Sequence, residues 1–202
     1  MKYTPLKSIA AGLYISIGCA ASIATGSKII GAIAFSVGLI AVILLGADLY
    51  TGKICYAHRG DAWPLLATLL TNLLTAYVCG ALYQIANNPL STFTIKSAKP
   101  IPLTMLGGVV CGILIFAAVE GYRSSKSILS IVFPVATFIL IGGEHCIADA
   151  FYFGASGCAG VFGWAWLSAV IVGNTIGGLV AGYRCGRESA AEAGNEGVKC
   201  CT

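Results

Sequence analysis

His145 is one of only two histidines in the chain, and it directly follows a carboxylate in Gly142-Gly143-Glu144-His145-Cys146-Ile147-Ala148-Asp149. An unperturbed imidazole titrates at about pH 6.5, so a histidine set between apolar stretches is suited to carry a proton at physiological pH. A second glycine-then-carboxylate step occurs in Gly46-Ala47-Asp48-Leu49-Tyr50-Thr51-Gly52. Asp48 and Glu144 admit two roles. Either they are cation ligands in a pore, or they accept hydrogen bonds from backbone N–H groups freed at a helix break and so cap a half-helix. Asp149 flanks the second of these segments and is grouped with them as support for the break. Lys96 and Lys99 form a close pair that would concentrate anions at a pore mouth, or would simply be solvated in a loop. His58, next to Arg59, reads as a solvated loop residue.

These groups are exceptions in a chain of 202 residues that is 57% hydrophobic and 10% charged, with a mean hydropathy of +0.87. A soluble domain carries about 25% charged residues. Twelve basic and eight acidic side chains cannot cover a water-soluble globule of this size, which excludes an ordinary cytosolic enzyme, a disordered protein and a nucleic-acid binder. The nine cysteines are scattered, contain no C-x-x-C pair and fall mostly in apolar stretches, where cysteine acts as a small hydrophobe. No metal site, cofactor or nucleophile–base set is visible, so an enzyme is disfavoured.

The elements that must position the polar groups are transmembrane helices. Charge-free stretches run over 8–27, 29–47, 62–95, 100–119, 127–143 and 150–183. A helix needs about 20 apolar residues to cross the hydrocarbon layer, which gives six spans near 6–26, 29–47, 63–86, 100–120, 127–143 and 163–184. The fold class is an all-α integral membrane bundle, with 1–185 as one channel domain and 186–202 as a short polar tail. Lys2, Lys7, Lys53, Arg59, Arg123, Lys126, Arg184 and Arg187 fall on the side of the N-terminus, against Lys28, Lys96 and Lys99 on the other. The positive-inside rule then puts both termini in the cytoplasm of a multi-pass inner (plasma) membrane protein.

The two halves share a pattern. Each has an apolar run opened by Phe (Phe35, Phe133), closed by glycine and followed by a carboxylate; each then has a span with Asn followed eight residues later by Gly, at Asn72/Gly80 and Asn174/Gly182. Three spans per half makes the repeats, about 6–86 and 100–184, inverted with respect to each other, with helices 2 and 5 broken. Broken helices at matching places in inverted repeats point to a site near the bilayer midplane, because unwound backbone is tolerated at depth only where it is enclosed by protein or lines a cavity.

The segments FSVGLIAVILLGADLYTG at 35–52, FPVATFILIGGEHCIADAF at 133–151 and GNTIGG at 173–178 resemble the formate/nitrite transporter family, in that family's order and over nearly the whole chain to about residue 185. The resemblance implies an aquaporin-like fold, a homopentamer with one pore per protomer, and a small-anion substrate. It also implies roles. Thr51 is the loop threonine that hydrogen-bonds a central histidine, His145. Phe35, Leu39, Leu49, Tyr50 and Phe138 match the apolar constriction residues, and Asn174 matches an asparagine near the pore. Lys96 or Lys99 is similar to the vestibule lysine. The chain departs from the family pattern at Gly143, Cys146 and Asp149, where the family has Phe, Ser and Asn, and at Cys111 or Gly112 in place of a fourth-span Asn.

The function expected from these readings is a channel or transporter for the anion of a weak acid. Formate comes first, with nitrite and hydrosulfide as alternatives. The anion meets His145 at the midplane, takes a proton directly or through water, and crosses the apolar constrictions as the neutral acid, since a bare anion would be desolvated there at a cost of many kcal/mol. The alternative from another class is a non-transporting membrane scaffold or sensor whose tail recruits a partner.

Overall fold

A computed structural model of the chain describes residues 1–87, 99–156 and 161–195. The described residues form helices joined by turns and loops, with no strand among them. Helix α1 (Pro5–Ala24) starts on Pro5, whose missing N–H is no loss in a first turn. Helix α2 (Lys28–Leu44) starts at Ser27, whose side chain accepts the Ile30 N–H. Then come the short α3 (Tyr50–Lys53) with a 3-10 turn (Ile54–Tyr56), α4 (Ala62–Asn87), α5 (Ile101–Ser125), α6 (Leu129–Leu140), α7 (Cys146–Ala155) and α8 (Val161–Asn195).

Four segments are long and apolar enough to cross a membrane alone: Pro5–Ala24, Ala62–Asn87, Ile101–Ser125 and Gly163–Tyr183. They coincide with the first, third, fourth and sixth expected spans. The second and fifth expected spans are α2 and α6, with 17 and 12 residues. At 1.5 Å per residue α6 is about 18 Å long, short of the about 30 Å hydrocarbon layer. Each is followed by a break and a second short helix, α3 after α2 and α7 after α6.

The two breaks are built alike. Gly46 (φ +63°) and Gly142 (φ +79°) adopt the left-handed conformation that ends α2 and α6. The next amides then reach back, Ala47 N–H to the Val42 carbonyl at 2.9 Å and Gly143 N–H to the Phe138 carbonyl at 2.6 Å. This closure satisfies helix-end carbonyls that would otherwise be orphaned. The chain then turns inward instead of continuing the helix.

Packing repeats between the halves as well. Helix α1 packs on α2 and α4 as α5 packs on α6 and α8; α4 packs on α7 as α8 packs on the 3-10 turn. A Cβ added at Gly80 of α4 would fall on the Phe151 carbonyl, and one at Gly182 of α8 on the Cys55 carbonyl. These are the glycines eight residues after each asparagine, and their missing side chains admit the broken segments.

Large apolar side chains cover much of the exterior, including Leu6, Leu74, Leu82, Ile85, Leu129 and Phe133. The interior instead buries Asp48, Thr51, Asn72, Glu144, His145, Asp149 and Asn174. A polar interior inside an apolar shell is the arrangement of a membrane protein enclosing a polar path. The segment after residue 185 continues α8 to Asn195, because Glu188-Ser189-Ala190-Ala191-Glu192-Ala193 is rich in helix formers; residues 196–202 lie outside the described residues.

Candidate functional site

The backbone N–H groups freed at each break must be satisfied, and one asparagine per half does much of this. Asn72 on α4 accepts the Tyr50 N–H through Oδ1 at 2.9 Å. Its Nδ2 donates to the Ser8 carbonyl at 2.7 Å and the Asp48 carbonyl at 3.1 Å. Asn174 on α8 accepts the Cys146 N–H at 2.8 Å, and its Nδ2 donates to the Gly108 carbonyl at 2.9 Å and the Glu144 carbonyl at 2.8 Å. Backbone contacts complete each loop, with Asp48 N–H on the Lys7 carbonyl at 3.1 Å and Glu144 N–H on the Gly107 carbonyl at 3.2 Å. Asn72 was legible in the sequence as half of a repeat, and its spacing to Gly80 was the available signal for its role.

The carboxylates at the breaks hold lysines. Asp48 Oδ1 lies 2.9 Å from Lys53 Nζ, and Glu144 Oε1 lies 2.5 Å from Lys99 Nζ, which also donates to the Gly142 carbonyl at 2.9 Å. Lys28 adds a second cation to the Lys99 end among the described residues, with Nζ donating to the Leu140 carbonyl at 2.9 Å. The Lys99–Glu144 contact spans a boundary, since the lysine side chain is 38% exposed and the glutamate side chain 1%. Lys96 lies outside the described residues.

Helices α3 and α7 begin at one point, where Thr51 Oγ1 and His145 Nε2 are 2.9 Å apart. His145 is also the N-cap of α7, its Nδ1 accepting the Ala148 N–H at 3.2 Å. With Nδ1 acting as acceptor, the neutral ring carries its proton on Nε2 and donates it to Thr51. One nitrogen therefore holds the helix end while the other presents a hydrogen.

A cavity of about 100 Å³ reaches from Lys99 to His145. Its walls include Phe35, Phe138, Glu144, Asp149, Tyr152 and Ser22. The Phe35 and Phe138 rings meet edge to face at 5.9 Å, and Phe138 stacks on the His145 ring at 6.2 Å. Apolar rings thus stand against the imidazole in the cavity wall. Leu39, Leu49 and Tyr50 are buried but are not among this cavity's walls; Tyr50 bonds through its hydroxyl to Thr175 Oγ1 at 2.8 Å. The lining residues Tyr152 and Ser22 were not singled out from sequence, as nothing in their spacing marks them.

Residues 1–183 match the family model described as formate/nitrite transporter. The chain belongs to this family. Among curated relatives it is 31% identical to the Bacillus subtilis (strain 168) transporter YrhG over 182 residues, covering 76% of this chain and 68% of that protein. It is 30% identical to the formate channel FocA of Escherichia coli (strain K12), covering 73% of this chain and 65% of FocA. The chain thus spans about two thirds of these relatives' length. Two solved structures share the fold. One, an FNT family ion channel, has a TM-score of 0.83 at 23% identity, over 91% of this chain and 89% of that one. The other, a pentameric formate channel with formate bound, has a TM-score of 0.74 at 21% identity, over 93% and 95%.

Proposed function

We propose that the chain forms a channel for the small monovalent anion of a weak acid, formate above all, in which His145 couples permeation to a proton. The observation that carries this reading is the hydrogen bond of His145 Nε2 to Thr51, where two broken helices begin, on a cavity with Lys99 among its walls. Lys99 attracts the anion toward a site that water reaches poorly, where charge interactions are stronger than in bulk. Protonated to the imidazolium, with the Nδ1 contact to Ala148 given up, His145 gives one proton to the anion directly or through water and returns to the neutral ring. The resulting neutral acid passes Phe35 and Phe138 without the desolvation cost of an ion. The ring regains its proton from the side the anion entered, so one proton crosses with each anion.

By similarity to the pentameric formate channel, the chain assembles as a homopentamer with one path per protomer. Six crossings in two inverted halves leave both termini in the cytoplasm, with the Lys99 cavity facing outward. Asp48 and Glu144 support the breaks by anchoring lysines, and Leu39, Leu49 and Tyr50 narrow the remainder of the path. Proteoliposome flux of formate, nitrite, hydrosulfide and acetate across pH tests this assignment. Formate flux that rises as pH falls is expected, and absence of flux for all four anions would overturn it. Flux that persists after deletion of residues 188–202 would further exclude a scaffold acting through its tail.

A further inference from the structure

The two breaks match in contacts but not in charge. Asp48 and Glu144, Tyr50 and Cys146, and Cys55 and Phe151 are each 96 residues apart, and the members of each pair make equivalent contacts, the first two pairs with the asparagine of their own half and the third with a glycine of the opposite half. The same offset sets Lys53 against Asp149. In the first half, Lys53 neutralises Asp48 within one short segment. In the second, the lysine for Glu144 comes from outside the segment, as Lys99, and the equivalent position holds a second carboxylate. Asp149 is fully buried from outside solvent and lines the same cavity as Lys99, Glu144 and His145. One lysine and two carboxylates therefore line the proposed anion path, and Lys28 bonds to Leu140 close by.

We infer that Asp149 is a specificity-determining residue of this path: protonated, it lets a monovalent anion occupy the cavity beside His145, and ionised, it turns the anion away. This inference rests on the channel reading given above. The physical cause is direct, because a full negative charge on a buried cavity wall repels a like charge with little screening. The neutral carboxyl removes that repulsion and adds an O–H donor suited to a carboxylate or nitrite oxygen.

Other titratable groups face Asp149 from the elements packed around α7. They are Cys19 on α1, Cys146, Tyr152 and His145 at α7 itself, and Glu144 and Lys99 across the cavity. The α4 segment packed on α7 carries Tyr77, Cys79 and Tyr83, whereas α6 and residues 161–182 of α8 carry none. Lys99 brings positive charge to the lining and is engaged with Glu144, and His145 brings it while protonated. Because Asp149 lines the cavity, its ionisation changes the charge an entering anion meets.

The test is formate flux through the full chain in proteoliposomes, compared for unmodified protein, Asp149→Asn and Asp149→Glu from about pH 5 to about pH 8. Asparagine keeps the size and hydrogen-bonding capacity of the carboxyl but cannot ionise. Near the upper limit Asp149→Asn is expected to conduct about tenfold faster than unmodified protein, with the ratio falling toward one as pH falls. Asp149→Glu is expected to keep the pH response. A ratio constant over the whole range would overturn the inference while leaving the channel reading standing. If unmodified protein carries no anion, the channel reading fails, and infrared titration of the detergent-solubilised chain decides separately on Asp149. A protonated-carboxyl band that Asp149→Asn lacks supports its titration, and identical spectra overturn it.

Discussion

Asn72 and Asn174 make the same three hydrogen bonds, one set in each half: each accepts the first freed amide of a short helix, and each donates to the carbonyl two residues before that amide and to a neighbouring helix. The relationship explains how two helices break inside an apolar protein without stranded polar backbone. Replacing Asn174 by leucine keeps the volume but leaves a buried N–H and two carbonyls lacking these bonds. The expected loss is about 3 kcal/mol or more. Thermal unfolding of Asn174→Leu and Asn72→Leu in detergent should show large drops in midpoint of similar size, and unchanged midpoints would refute the assignment.

The ion pair of Lys99 with Glu144 leads to a test by double substitution. Lys99→Met removes the lysine partner of a buried carboxylate and should destabilise the chain by about 1–3 kcal/mol, less than for a fully buried pair because the lysine is partly exposed. Lys99→Met combined with Glu144→Gln should recover most of that stability without recovering flux, since the attraction for anions is gone. Recovery of both would show that Lys99 acts only as a structural partner.

Two glycines should respond differently to the same change. Gly46→Ala meets no neighbouring atom and is opposed only by its positive φ, a cost of about 1–2 kcal/mol. Gly80→Ala drives a methyl group into the Phe151 carbonyl, and α4 and α7 must separate. Its cost should reach or exceed about 3 kcal/mol. Equal unfolding midpoints for the two variants would contradict the packing described.

The breaks were legible because glycine and asparagine are costly in apolar helices and so carry positional information. Gly46, Gly142, Asn72 and Asn174 stand out against leucine, isoleucine and alanine, and their recurrence in both halves located the breaks before any geometry was known. The long-range partners were not legible. No local pattern indicates that the amides after each break turn to Asn72 and Asn174, or that Lys99 crosses 45 residues to reach Glu144. Helix α7 was hidden as well, because no charge separates it from the apolar stretch that runs on to Tyr183. Periodicity cannot divide such a stretch; the glycine before and the packing of Gly154 against the Tyr77 carbonyl do.

Thr51 offers a graded test of the contact between the half-helices. Thr51→Val removes the acceptor for His145 Nε2 at nearly constant volume, with an expected stability cost of about 1 kcal/mol and a clear loss of flux. Thr51→Ser keeps the hydroxyl and should keep most of the flux. Equal formate flux for the valine and serine variants would separate Thr51 from function.

The central claim is that His145 supplies the proton that lets an anion pass. Because His145 also caps α7, its replacement must keep the cap, and asparagine does so without titrating in this range. The most direct measurement is formate flux through His145→Asn in proteoliposomes, with external pH and internal proton uptake recorded together. The account predicts a folded protein in which proton movement no longer accompanies formate, with only the pH dependence set by Asp149 remaining in the flux. Proton-coupled flux equal to that of the unmodified chain would contradict it.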